Sequence, residues 1–183
     1  MAQHTLSVLV ENSPGVLARV ASLFSRRGYN IDSLAVGPTE DPKVSRMTIV
    51  LNLEGHALDQ VSAQLFKLVN VIGIQEMKES DSRQRELLFV KVSATRSQVE
   101  AELNGIQAEV VDEREGSCIV QAVANNKDLA ALVKNLSKFG IRELVQSGAI
   151  AIEFGAATLA EKTAIEIGLV SSDAHEQTQD YQN

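Results

Sequence analysis

Apolar and polar residues alternate over residues 5–10, with Leu6, Val8 and Val10 on one side, and this two-residue period predicts a β-strand. The period then changes. Val16, Leu17, Val20, Leu23 and Phe24 recur at three- and four-residue spacing, which predicts a helix over 14–27 with one apolar stripe. Ser13 is placed to cap that helix, and Pro14 falls at its first position, where the missing N–H is no loss. Arg26 and Arg27 suit the last turn, and Gly28 supplies a left-handed stop. Residues 29–36 follow as a strand, closed by the turn sequence GPTEDP at 37–42. Residues 46–53 alternate again, with Met47, Ile49, Leu51 and Leu53 on one face and Thr48 and Asn52 on the other. Leu58, Val61, Leu65 and Leu68 mark a second helix over 56–70, and 71–79 close the unit as a fourth strand.

Strand, helix, strand, strand, helix, strand is the order of the ferredoxin-like split unit, in which two helices cover one face of a sheet. The short polar run ESDSRQ at 79–84 reads as a linker, and the same order recurs behind it. Residues 86–92 form a strand, 97–103 a short helix, and 107–113 and 117–124 a strand pair. Leu129, Leu132, Val133 and Leu136 then stripe a helix, and 141–153 return as one strand or two. The predicted class is α+β, with two tandem βαββαβ units over 1–78 and 85–154. LFKLVNVIGIQEM at 65–77 aligns without gaps to LVKNLSKFGIREL at 132–144, pairing Gly73 with Gly140, which points to a duplicated unit, although helix-Gly-strand junctions also resemble one another for purely local reasons. Residues 155–183 read as a short amphipathic helix at 158–167 followed by a polar, disordered tail.

Composition narrows the function classes. Lys and Arg number 17 against 24 Asp and Glu, and the net charge of −7 opposes binding to a phosphate backbone. A nucleic-acid-binding version of this layout needs stacking aromatics on central strands, whereas the first unit offers Phe24, Tyr29 and Phe66, two of them on helices. Cys118 is the single cysteine, so neither an internal disulfide nor a cysteine-built metal cage can form. His4, His56 and His175 show no ligand spacing. No G-x-S-x-G, H-E-x-x-H, P-loop or G-x-G-x-x-G occurs. Asn125 and Asn126 read as a helix cap, and Asp112, Glu113 and Glu115 as solvated carboxylates around a hairpin turn. No catalytic residue and no metal ligand is assigned. No stretch reaches membrane-spanning length, and the first residues read as a strand rather than a signal peptide, so the expected location is the cytoplasm.

The corner ENSPGVLARV at 11–20 has two readings. As punctuation, Ser-Pro-Gly ends a strand and starts a helix, and it is sufficient for that. As a site, the helix start offers free N–H groups to an anion, Gly15 admits a ligand close to the backbone, and the Asn12 amide oxygen can accept from an ammonium group. Those two poles match a free amino acid. The second unit runs from its first strand into SATRSQVE without Pro-Gly, so the junction can be built without this corner.

The run ENSPGVLARVASLFSRRGYNIDSLAVGPTEDPKVSRMTIVL resembles the regulatory (small) subunit family of acetolactate synthase, also called acetohydroxyacid synthase. The likeness extends from residue 4 to 154 and is most specific in PGVLARV, LFSRRGYNI and SRMTIV. It implies that the first unit is an ACT domain, a ferredoxin-like module that binds amino acids and pairs edge to edge with its counterpart in a second chain. It further implies a non-catalytic chain that activates a separate catalytic large subunit and makes it sensitive to feedback inhibition by valine. Thiamine diphosphate, magnesium and FAD would belong to that partner, and this chain would hold no cofactor. Carried over by position, Asn12, Ser13, Pro14, Gly15, Val16 and Leu17 receive the effector from one chain. Asn30 and Ile31 complete the pocket from the other, and Gly37 matches a small-residue position near the same interface. Pro14 stands at a position that varies in the family, and the tail after 155 departs from it. A stand-alone ACT sensor serving a different enzyme is the alternative reading.

Overall fold

The computed structural model describes residues 2–54, 57–103 and 105–166. In the first unit β1 (Ala2–Glu11) is followed by α1 (Val16–Arg26), β2 (Ile31–Pro38), β3 (Val44–Leu53), α2 (Ala57–Leu65) and β4 (Val71–Glu76). Its antiparallel sheet has the order β2-β3-β1-β4. The second unit comprises β5 (Ser82–Val92), α3 (Arg96–Glu100), β6 (Ala108–Arg114), β7 (Ser117–Ala124), α4 (Asn126–Leu136) and β8 (Ile141–Gln146). Its main sheet runs β6-β7-β5-β8, while β9 (Ile150–Glu153) pairs with the opening residues of β5 and α5 (Leu159–Glu166) follows. The α+β tandem of ferredoxin-like units is therefore present.

Each sheet buries one face against its own helices. Leu6, Val8, Val10, Met47, Ile49 and Leu51 meet Val20 and Phe24 of α1 and Val61 and Leu65 of α2. Leu88, Val90, Val92 and Val120 meet Val99 of α3 and Leu129, Leu132 and Leu136 of α4. The end of α1 follows its sequence signals. The Tyr29 N–H donates to the Phe24 carbonyl and the Gly28 N–H to that of Ser25, both at 3.1 Å, with Gly28 at φ 70°. Asn125 caps α4, its side chain accepting from the Asp128 N–H at 2.8 Å.

Two expectations change. Residues 82–84, polar enough to read as linker, are the start of β5 and pair with β9. Their polarity fits an outlying two-stranded ribbon rather than a loop. The ungapped match between 65–77 and 132–144 does not reflect equivalent places in the fold. Val10 pairs with Val71 as Val92 pairs with Ile141, beside a ladder shift in each sheet, so β4 and β8 correspond with an offset of 70 rather than 67. Gly140 is a left-handed residue before β8 (φ 76°), whereas Gly73 lies inside β4. The shared Gly-Ile pair is thus a local resemblance.

The outer face of the first sheet, opposite its two helices, is covered as well: Ser7, Leu9, Thr48 and Val50 are all buried. The covering comes from later in the chain. A Cβ at Gly73 would overlap the Thr163 side chain, 3.2 Å from its Cβ, so α5 lies directly on β4. Thr5 Oγ1 donates to Gln84 Oε1 at 3.0 Å, and Gln75 Nε2 to Glu153 Oε1 at 2.7 Å. Helix α5, expected over 158–167, starts with a reciprocal cap: Glu161 accepts from the Thr158 N–H at 2.7 Å, and its own N–H donates to Thr158 Oγ1. Residues 167–183 of the expected tail, with His56 and His175, lie outside the described residues.

Cys118 is fully buried in the second core. Burial, then the Glu113 carboxylate, push its thiol above the usual range, and Arg96 opposes them. A thiol reagent at neutral pH is therefore expected to label Cys118 only after unfolding. Rapid labelling of the native chain would show instead that β7 opens.

Candidate functional site

Ser13, Pro14, Gly15 and Val16 form a tight turn. Gly15 has φ 83° and ψ −6°, and the Val16 N–H donates to the Ser13 carbonyl at 3.4 Å. Those angles belong to the third residue of a type II turn, which favours proline second and glycine third. The expected cap is thereby corrected. Gly15, not Ser13, flanks α1, no side chain caps it, and the helix starts at Val16 rather than at Pro14. A left-handed residue 15 cannot sit inside a helix that began one residue earlier.

The later helix start moves the free donors. Pro14 has no N–H, and that of Val16 is used by the turn. The N–H groups of Gly15, Leu17 and Ala18 have no acceptor among the described residues, and all three residues are exposed. An ideal Cβ on Gly15 would have no heavy atom within 4 Å, so the approach is open. The Val16 side chain points into the core and cannot face a ligand. Asn12 is held by its N–H on the Lys43 carbonyl (2.7 Å) and by Nδ2 on that of Pro42 (2.9 Å). That geometry leaves its Oδ1 as an acceptor beside the turn.

Residues that no local signal marks support the corner. Glu11 donates its N–H to the Asn70 carbonyl at 2.9 Å, and Asn70 Nδ2 returns to the Glu11 carboxylate at 2.5 Å. Arg19 Nη1 reaches Asn70 Oδ1 at 2.8 Å. The partners lie more than fifty residues apart, which no short-range pattern encodes.

Asn30 and Ile31 are not at this corner. They lie past the far end of α1, and an 11-residue helix spans about 16 Å. The sheet agrees: Ile31 pairs with Leu51, while Gly37 and Pro38 pair with Arg46 and Ser45, whose other neighbours Leu9 and Val10 lead into the corner. Gly37 thus shares the corner's end of the sheet and Asn30 does not. The ladder shifts between Ile31 and Ser33. In that irregularity Asp32 accepts from Asn30 Nδ2 at 2.8 Å and from Asn52 Nδ2. Val36, unremarked in the sequence, shares the face of Leu34 and is 45% exposed on the open edge of β2, and Leu17 is 44% exposed near the corner.

Among the described residues no three His, Cys, Asp or Glu side chains are grouped to hold a metal ion, and His4 Nδ1 lies 2.7 Å from Glu76. No helix there is long and apolar enough to cross a membrane. A cleft of about 310 Å³ between the units, reached by Asp32, Ser33, Arg85 and Asn126, lies at the Asn30 end of β2 rather than at the corner.

Comparison with known proteins bears on both units. A family profile described as the AHAS small subunit-like ACT domain matches residues 6–73, and one described as the small subunit of acetolactate synthase matches 85–155. The acetolactate synthase small subunit of Mycolicibacterium smegmatis is 51% identical over 155 residues, covering 83% of this chain and 91% of that one. A probable acetolactate synthase small subunit of Archaeoglobus fulgidus is 42% identical over 156 residues, covering 84% and 98%. The crystal structure of the acetolactate synthase small subunit from Thermotoga maritima superimposes with a TM-score of 0.77 at 26% identity, covering 86% of this chain and all of that one. With one profile on each unit and half the residues shared with relatives along most of its length, this chain belongs to the acetolactate synthase small-subunit family, and its first unit is an ACT domain.

Proposed function

We propose that the chain is the non-catalytic regulatory subunit of a cytoplasmic acetolactate synthase, activating the catalytic large subunit and conferring feedback inhibition by valine in branched-chain amino-acid biosynthesis. Thiamine diphosphate, magnesium and FAD belong to the large subunit in this reading. Within the proposed division, residues 1–78 bind effector and dimerise, and 85–154 form the second regulatory unit.

The observation that carries the reading is the separation of the two half-sites. Free N–H groups at Gly15, Leu17 and Ala18, with Asn12 Oδ1 beside them, suit the carboxylate and ammonium of an amino acid. The helix end contributes about 0.3 to 2 kcal/mol toward an anion, too little for a site open on its far side. Asn30 and Ile31 sit at the other end of α1, so only a second chain can bring them to the corner. Strand β2 is an open edge, and antiparallel pairing of two β2 strands sets the Ile31 end of one against the Gly37 end of its partner. Leu17 and Val36 then flank the space where a branched side chain would lie. A ligand shared in this way favours one arrangement of the dimer. By linkage, whatever the large subunit does to that arrangement returns as a change in effector affinity.

The test is reconstitution. The chain is combined with its catalytic large subunit, and the rate from pyruvate is followed as valine is titrated. Activation and inhibition are both expected, and a valine-insensitive complex would overturn the effector reading. Asn30→Ala should raise the valine concentration for half-inhibition by about three- to tenfold, the value of one hydrogen bond, and leave activation in place.

A further inference from the structure

We infer that the turn at residues 147–149, in the second unit, positions the effector half-site at the start of β2, so that the second unit sets effector affinity without touching the effector. The inference rests on the effector site proposed above and assigns its Asn30 half a support on β2, toward the end of that strand away from the corner.

The turn is anchored on β5, the strand between β7 and β8 in the second sheet. The Leu87 N–H donates to Ser147 Oγ at 3.0 Å, and the Ser147 N–H donates to the Leu87 carbonyl at 3.0 Å. From that anchor the turn reaches β2. The Ala149 N–H donates to Ser33 Oγ at 2.9 Å, and Ala149 is buried. Gly148, at φ 82°, lies flat against the strand: a Cβ there would stand 2.9 Å from Ser33 Oγ and 3.1 Å from the Leu34 carbonyl oxygen. Only glycine satisfies both the conformation and the approach.

The strand needs such a support. As an edge, β2 has a ladder on one side only, and its register breaks between Ile31 and Ser33. Edge residues beside a bulge are the first to fray unless something else holds them. Ser33 is next to Asp32, whose carboxylate fixes the Asn30 amide at 2.8 Å. A continuous run of contacts therefore leads from the second sheet through Leu87, Ser147, Ala149, Ser33 and Asp32 to Asn30. Displacing the turn lets the start of β2 sample other positions, and the effector then selects a less populated one at reduced apparent affinity.

The experiment uses the full chain, alone and with the large subunit. Ser33→Ala removes the acceptor, Gly148→Ala forces the turn away, and Ser33→Thr keeps the hydroxyl. Hydrogen exchange of amides 30–34 should quicken by about tenfold in the first two variants and stay near wild type in the third. In the holoenzyme the valine concentration for half-inhibition should rise by about three- to tenfold in the first two, with the valine-free rate unchanged and Ser33→Thr restoring sensitivity. Unchanged exchange in both variants overturns the inference, and so does faster exchange with unaltered valine inhibition. Asn30→Ala separates this failure from failure of the effector reading. If Asn30→Ala weakens inhibition while the turn variants do not, the site stands and the turn does not position it. If none of the three affects inhibition, the effector site itself is misplaced, and the inference falls with it.

Discussion

Gly15→Asp is expected to abolish valine inhibition of the reconstituted enzyme while leaving activation by this chain largely intact. Gly15 precedes the first residue of α1, so an aspartate there would be one side chain away from the Leu17 and Ala18 N–H groups that have no acceptor. Those are the donors an N-terminal aspartate caps in ordinary helices. The new carboxylate would take the effector carboxylate's place and repel it as well. The space above the residue is open, so no packing is lost. The φ of 83° costs an aspartate about 1–2 kcal/mol, a minor part of the stability of an ordinary domain, so the fold should hold. Inhibition curves should shift by more than about a hundredfold, the upper range of a linkage of this kind. Gly15→Asn, with the same shape and no charge, should shift them less. Normal valine sensitivity in a folded Gly15→Asp holoenzyme would remove the corner from the site.

The second large effect concerns stability. Gly73→Ala places a methyl group against Thr163, with Thr163 Cβ at 3.2 Å and Cγ2 at 3.3 Å from its position and the hydroxyl closer still. Thr163 is buried and cannot swing away, because its Oγ1 donates to the Leu159 carbonyl at 2.8 Å. Overpacking of this kind costs about 1–3 kcal/mol, which for a chain of this size lowers the melting temperature by roughly 2–12 °C. The cost should be partly relieved by Thr163→Ala in the same chain, because residues in contact are non-additive. Additive losses in a double-mutant cycle would mean that α5 does not dock on β4 in solution.

The corner shows where reading a sequence succeeds and where it misleads. Pro14 and Gly15 announce a change of direction from composition alone, and Gly28 announces the helix end. Whether Ser-Pro-Gly caps a helix or turns before it depends on the sign of φ at Gly15, and glycine permits both. The helix start differs by two residues between the two conformations, and that shift decides which N–H groups are free. The repeat match erred for a similar reason: Gly-Ile follows many helices, and only the β4 and β8 ladders define equivalent positions. The support of the corner by Asn70, and of Asp32 by Asn52, is illegible in the sequence because such polar contacts join distant residues with no shared period.

Local patterns in this chain determined its strands, helices, most of their ends and the α+β order, because each depends on side-chain period and backbone preference within a few residues. They also carried the family likeness, which lies in contiguous runs. Tertiary structure decided the rest. It buried the second face of the first sheet under α5 and β9, set Asn30 and the Gly15 turn at opposite ends of one helix, and laid Gly148 against β2 at Ser33 and Leu34. Each of these is a meeting of segments distant in the chain, settled by which surfaces can exclude water together, and no short window of residues contains both sides of such a contact.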